Sequence, residues 1–212
     1  MSTQSMVQGV GVQGEESMSF DRFAGVAAIA AGVLGLLYSV AFVLLKDPLT
    51  YSICLLLGGL ATTIVMVALY RHLREVEAGV AQLGLLLGVI AALGSVIHAG
   101  YDLSNALHPP AATNVDLPSQ IDPRGLLTFG IAGLALFAFA WLLSKSSNFS
   151  KTLAYIGYLL AVLVVVIYLG RLIILDATSF AILLPAALTG FIVNPLWNIL
   201  VGLRLLRSPN RP

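Results

Sequence analysis

The chain has 212 residues, 58% of them hydrophobic and only 10% charged, with a mean hydropathy of +0.96. Soluble domains carry about 25% charged residues, so this composition excludes an ordinary water-soluble protein. A formal net charge of +1 gives no electrostatic basis for binding nucleic acid.

Residues 1–20 are rich in Gly, Gln, Ser and Val, with Glu15 and Glu16, and lack both hydrophobic periodicity and a basic start. A disordered tail is expected there, not a signal peptide. The first apolar run, 23–45, is long enough to span a bilayer. Ala27, Ala31 and Gly35 recur along it every four residues, a small-residue stripe that lets another backbone come close. Lys46-Asp47-Pro48 reads as a tight turn before the second run, 49–70. Tyr51 and Tyr70 at its two ends suit the headgroup level. His72 follows among Arg71, Arg74 and Glu75 and is expected to be solvated. The only cysteine, Cys54, lies in this run and reads as a small buried hydrophobe.

The third run, predicted as a helix over 80–103, differs from the others. Gly84, Gly88 and Ala92 line one face, which predicts a helix packed centrally. Its second half turns polar, with His98, Tyr101, Asp102, Ser104, Asn105 and His108. Asp102 lies one helical turn beyond His98, so carboxylate and imidazole share a face. A carboxylate in that position raises the basicity of the imidazole and fixes its tautomer, which suits a proton relay or a metal ligand. A structural ion pair beneath a wet loop is the plainer reading. The pair is expected about five residues, roughly 7–8 Å, inside the helix end, and an ionisable pair at membrane depth is a functional candidate.

A long polar loop, 109–124, carries four prolines and ends at Arg124. Loops of this length are usually functional or disordered. The fourth run, 125–143, has Trp141 near one end, and a short basic loop leads to the fifth run, 153–175. Arg171 falls in the last turns of that run and Asp176 follows it. The sixth run, 181–206, contains Asn194-Pro195-Leu196-Trp197-Asn198. Pro195 has no N–H and crowds the carbonyl of Phe191, so a kink is expected. Asn194 and Asn198 share a face and suit interhelical hydrogen bonds.

The fold predicted is therefore all-α, an integral membrane bundle of six helices followed by a short tail, 208–212. Arg22, Arg71, Arg74, Lys145, Lys151, Arg204, Arg207 and Arg211 fall on one side, against Lys46, Arg124 and Arg171 on the other. The positive-inside rule then puts both termini in the cytoplasm of a multi-pass cell-membrane protein. Asn148-Phe149-Ser150 matches a glycosylation acceptor but would lie inside.

An early Arg-Phe-Ala-Gly at 22–25, a Leu-Tyr-x-x-Leu-Arg at 69–74 and a closing Trp-x-x-x-x-Gly-x-Arg-Leu-Leu at 197–206 carry a resemblance. In these the chain resembles small bacterial polytopic membrane proteins of a domain family of unknown function. The resemblance implies six helices and a bacterial inner membrane, and no activity.

Function is expected at the outer end of the third helix. A pocket for a partner or an amphiphilic ligand would be built on His98, Tyr101, Asp102, Asn105, His108, Arg124, Arg171 and Asp176, with Gly84, Gly88, Ala92 and Pro195 serving helix packing. The chain has no HExxH, nucleophile elbow, P-loop or dinucleotide fingerprint, so no cofactor, metal or catalytic residue is assigned and binding is favoured over catalysis. The alternatives are a small-solute transporter and a metal-dependent intramembrane hydrolase using His98, Asp102 and His108, which requires the helix to break before Pro109.

Overall fold

The computed structural model describes residues 3–109, 125–174 and 179–207, with side chains from Phe20 onward. Six helices are long and apolar enough to cross a membrane: α1 Phe20–Leu45, α2 Pro48–Leu73, α3 Ala78–Leu107, α4 Leu126–Lys145, α5 Lys151–Ile174 and α6 Phe180–Leu206. There is no strand among the described residues. Each helix packs against its neighbours in the chain, and α6 packs along α1, which closes a ring. The end holding Phe20 and Leu206 is called here the terminal end, and the opposite one the distal end.

Local chemistry sets the boundaries. Before its membrane-length part, α1 extends back to Thr3, through most of the stretch expected as a disordered tail. No proline precedes Pro48, so nothing in that stretch breaks the helix. At its other end, Lys46 takes a left-handed conformation, φ 52°, and Asp47 N–H bonds to Ala41 O at 3.0 Å. Asp47 then caps α2, accepting from Leu49 N–H at 3.3 Å, with Pro48 in the first turn. Glu77 caps α3 by accepting from Gly79 and Val80 N–H, so α3 starts at Ala78, earlier than expected. It also runs on to Leu107, four residues beyond the predicted end. Polar side chains at 101–105 do not stop a helix that contains no proline until Pro109.

Lipid tails give helices little hydrophobic reason to associate, so close backbone approach and van der Waals packing carry the assembly. A Cβ added to Gly202 would lie 2.6 Å from Gly25 O, and one added to Gly32 would lie 3.0 Å from Pro195 O. These glycines bring α1 and α6 into backbone contact. Ala27 and Ala31 are buried as well. On α3, Gly84 faces Phe139 of α4 and Gly88 faces Met66 of α2, while the Ala92 carbonyl lies against Gly59 of α2. Helix α3 is thus held between α2 and α4, and Leu86 on its other side is exposed.

The core is uneven along the bundle. Its largest fully buried side chains, among them Leu69, Leu73, Phe139, Leu142, Leu143, Trp197 and Leu205, lie toward the terminal end. The distal half is looser and less regular. Three π-helical turns lie there, Val40–Leu45 at the end of α1, Leu126–Ile131 at the start of α4 and Leu188–Val193 within α6, and none of 126–131 is buried. In α6 the turn lies between Pro185 and Pro195. Asn194 N–H bonds back five residues to Thr189 O, which slips the register just ahead of a residue that has no N–H to give.

Candidate functional site

The distal polar cluster is built from one pair outward. His98 Nε2 lies 3.4 Å from Asp102 Oδ2, one turn apart on α3, and the two side chains are 15% and 20% exposed. On its other edge, His98 Nδ1 is 3.5 Å from Thr128 Oγ1 on the π-helical turn of α4. Gly94 of α3 lies against Leu127 and gives α4 room for this approach.

Tyr38 of α1 is the other focus. Its ring stacks on Phe42 with centroids 5.7 Å apart and meets the edge of Tyr51 of α2 at 6.1 Å. Asp102, Tyr51 and Arg171 all lie within electrostatic reach of the Tyr38 hydroxyl. Arg171 of α5 stands three residues after Tyr168 on the same helix face, and Tyr168 packs against Gly130 of α4 at 3.2 Å from its Cβ position. Five helices therefore contribute polar groups to one region: Tyr38, Tyr51, His98 with Asp102, Thr128 and Arg171.

The cluster lies well inside the helix ends. His98 is nine residues before the end of α3 at Leu107, about 13 Å at 1.5 Å per residue. The distance along the helix exceeds the expected distance of about 7–8 Å because α3 continues past residue 103 to Leu107. Tyr38 is seven residues before the end of α1, about 10 Å.

The remaining predicted site residues divide into three groups. Asn105 is half-buried on the Asp102 side of α3, whereas Tyr101 is 56% exposed. His108 is exposed at the C-cap of α3, its N–H bonded to Ser104 O at 2.9 Å. It lies ten residues from His98 along an unbroken helix, about 15 Å, so one ion cannot be shared by His98, Asp102 and His108 as the hydrolase alternative requires. Among the described residues, no three His, Cys, Asp or Glu side chains are grouped to hold a metal ion. Arg124 and Asp176 lie outside the described residues.

Sequence reading passed over Tyr38, Tyr51 as a cluster member, and Thr128. Tyr38 did carry a signal: a tyrosine this far inside an apolar run has a hydroxyl that needs a partner. Thr128 carried none, because its role depends on α4 lying against α3.

A second cluster lies at the terminal end. His72 Nε2 pairs with Asp21 Oδ2 at 3.1 Å and its ring meets the edge of Phe149 at 6.1 Å. Arg204 Nε donates to Asn148 O at 2.8 Å, and its guanidinium lies 5.6 Å from the Phe149 centroid. His72 is therefore a paired, mostly buried residue and not the solvated one expected. The cluster ties α1, α2 and α6 to the loop before α5, a structural task.

Comparison with models of known families, with curated proteins and with solved structures finds no match.

Proposed function

We propose that this chain is a binding protein of the cell membrane that takes the polar head of an amphiphilic ligand into its distal cluster. The observation that carries the reading is the convergence of Tyr38, Tyr51, His98, Asp102, Thr128 and Arg171, from five helices, in the distal half of the bundle. Ionisable groups at membrane depth cost several kcal/mol to keep there and mark function by default. The lipid-facing leucines and isoleucines around the bundle suit an apolar tail. The positive-inside rule supports an outward-facing distal end, since Arg22, Arg71, Arg74, Lys145, Lys151, Arg204 and Arg207 fall at the terminal end. The cluster offers hydrogen bonds and one imidazole–carboxylate pair, equipment suited to holding a head group.

One observation favours a second reading as a transporter. Helix α6 passes through a π-helical turn between Pro185 and Pro195, and irregular helices line the substrate sites of many transporters. Against it stands the tightly filled terminal half, where Trp197 and Phe139 are fully buried.

The test is mass spectrometry of lipids co-purifying with the wild-type protein, His98→Ala and Asp102→Ala. Binding predicts a lipid-like species depleted in both variants while each remains folded. An unchanged lipid profile with only lowered stability would mean that the pair is structural. Flux of the same species across liposomes would favour the transporter.

A further inference from the structure

The terminal end carries a further polar face, on the hairpin of α4 and α5, that the cluster around His72 does not use. Helix α4 ends at Lys145 and α5 begins at Lys151, so both lysines stand where membrane-length helices leave the apolar layer. Both side chains are exposed. Lys145 Nζ lies over the Trp141 ring, 5.1 Å from its centroid. Lys151 Nζ donates to Ser144 O, and Ser144 Oγ donates to Trp141 O at 2.7 Å. These contacts gather the two ammonium groups on one patch at the end of α4. An ammonium has three donors, so the bond to Ser144 leaves Lys151 with two for a ligand.

The hairpin is antiparallel, and Gly157 against Ala140 sets its register. That register puts Tyr155 at the level of Trp141, one turn below the lysines, and both are exposed. A turn deeper, the rings of Phe137 and Tyr158 meet with centroids 6.2 Å apart. From the rim inward, the face runs from two cations through two aromatics suited to the headgroup level to an aromatic pair below them. The loop joining the lysines is held in place, since Phe149 is buried and Arg204 Nε donates to Asn148 O at 2.8 Å.

Charge decides the occupant. Neither lysine is ion-paired among the described residues, and the chain has no Asp or Glu between Arg124 and Asp176. His72 at the same end, by contrast, has Asp21 at 3.1 Å. We propose that this face binds an anionic phospholipid of the surrounding leaflet, with its phosphate at Lys145 and Lys151 and an acyl chain along Trp141 and Phe137. A zwitterionic lipid presents the same phosphate with a cation beside it, which two ammonium groups repel. The site shares no side chain with the distal cluster and does not depend on the reading given to that cluster.

The full chain is reconstituted at about 0.15 M salt, where exposed charges more than about 8 Å apart are largely screened. The vesicles are phosphatidylcholine with a minor fraction of chain-brominated lipid, either phosphatidylcholine or phosphatidylglycerol. Bromine quenches a tryptophan that it touches. Of the two tryptophans, Trp197 is fully buried and Trp141 is exposed, so the readout is local to the face. Phosphatidylglycerol is expected to be favoured about tenfold or more. K145Q and K151Q should each lower that preference about fivefold, the worth of one basic residue near a membrane surface. R207Q removes a charge at the same end but off the face, and should change it less than about twofold. The comparison of the two lipids on the wild type needs no variant to fold. Equal quenching by the two lipids would overturn the site. So would a loss in R207Q as large as in the lysine variants, which would mean diffuse attraction to the whole end. Quenching undiminished in W141F would place the lipid elsewhere and overturn it as well.

Discussion

Gly202 and Gly88 both sit where helices touch, yet they face different neighbours. A Cβ at Gly202 would meet Gly25 O at 2.6 Å, a backbone atom that moves only if α1 moves. At Gly88 it would meet Met66 Sδ at 2.6 Å, the flexible end of a side chain. Gly202→Ala is therefore expected to cost about 1–3 kcal/mol, the usual penalty of overpacking, and Gly88→Ala less. Thermal unfolding in detergent measures both, and a larger loss for Gly88→Ala would contradict the argument. The Gly84, Gly88 and Ala92 stripe is visible in the sequence because its period is that of a helix. The contact of Gly202 with Gly25 is not, because its partner lies at the other end of the chain. Thr128 is hidden for the same reason: a threonine in an apolar run says nothing until the helix beside it is known.

Hydropathy finds all six helices, since about 20 apolar residues are needed to cross a bilayer and few other arrangements satisfy the backbone there. It misplaces their ends by two to four residues at α3, where a cap at Glu77 and the first proline after Ala78 decide. It also overlooks Pro185 and the three π-helical turns, because apolar content does not report hydrogen-bond register. Between helices, the loop before α5 depends on Arg204, which donates to Asn148 O and lies over Phe149. Arg204→Ala removes a charge-assisted hydrogen bond and a cation–π contact, together about 2 kcal/mol. The expected result is a lower unfolding temperature in detergent. Arg204→Lys should recover only part of it, since an ammonium cannot lie flat on the ring and donate sideways at once. Full recovery by lysine would reduce the role of Arg204 to simple charge.

Across the whole molecule the two halves of the bundle differ in kind. The terminal half is filled by Trp197, Phe139 and leucines and is closed by the Asp21–His72 pair and Arg204. The distal half holds the polar cluster, the π-helical turns and fewer large buried side chains. A rigid base with a looser, polar upper half is the arrangement expected of a bundle that opens to one side of the membrane only. In the orientation proposed above, the base, where Lys and Arg collect, faces the cytoplasm by the positive-inside rule. Reporter fusions after Asp47, Asn114 and Asp176 should accordingly report outside, and fusions after Glu77 and Asn148 inside. The Asn114 fusion is the decisive one, since residue 114 joins α3 to α4 at the end where His98 and Asp102 lie. A cytoplasmic signal there would turn the bundle over. The polar cluster would then face the cytoplasm, and any head group it holds would come from the inner leaflet.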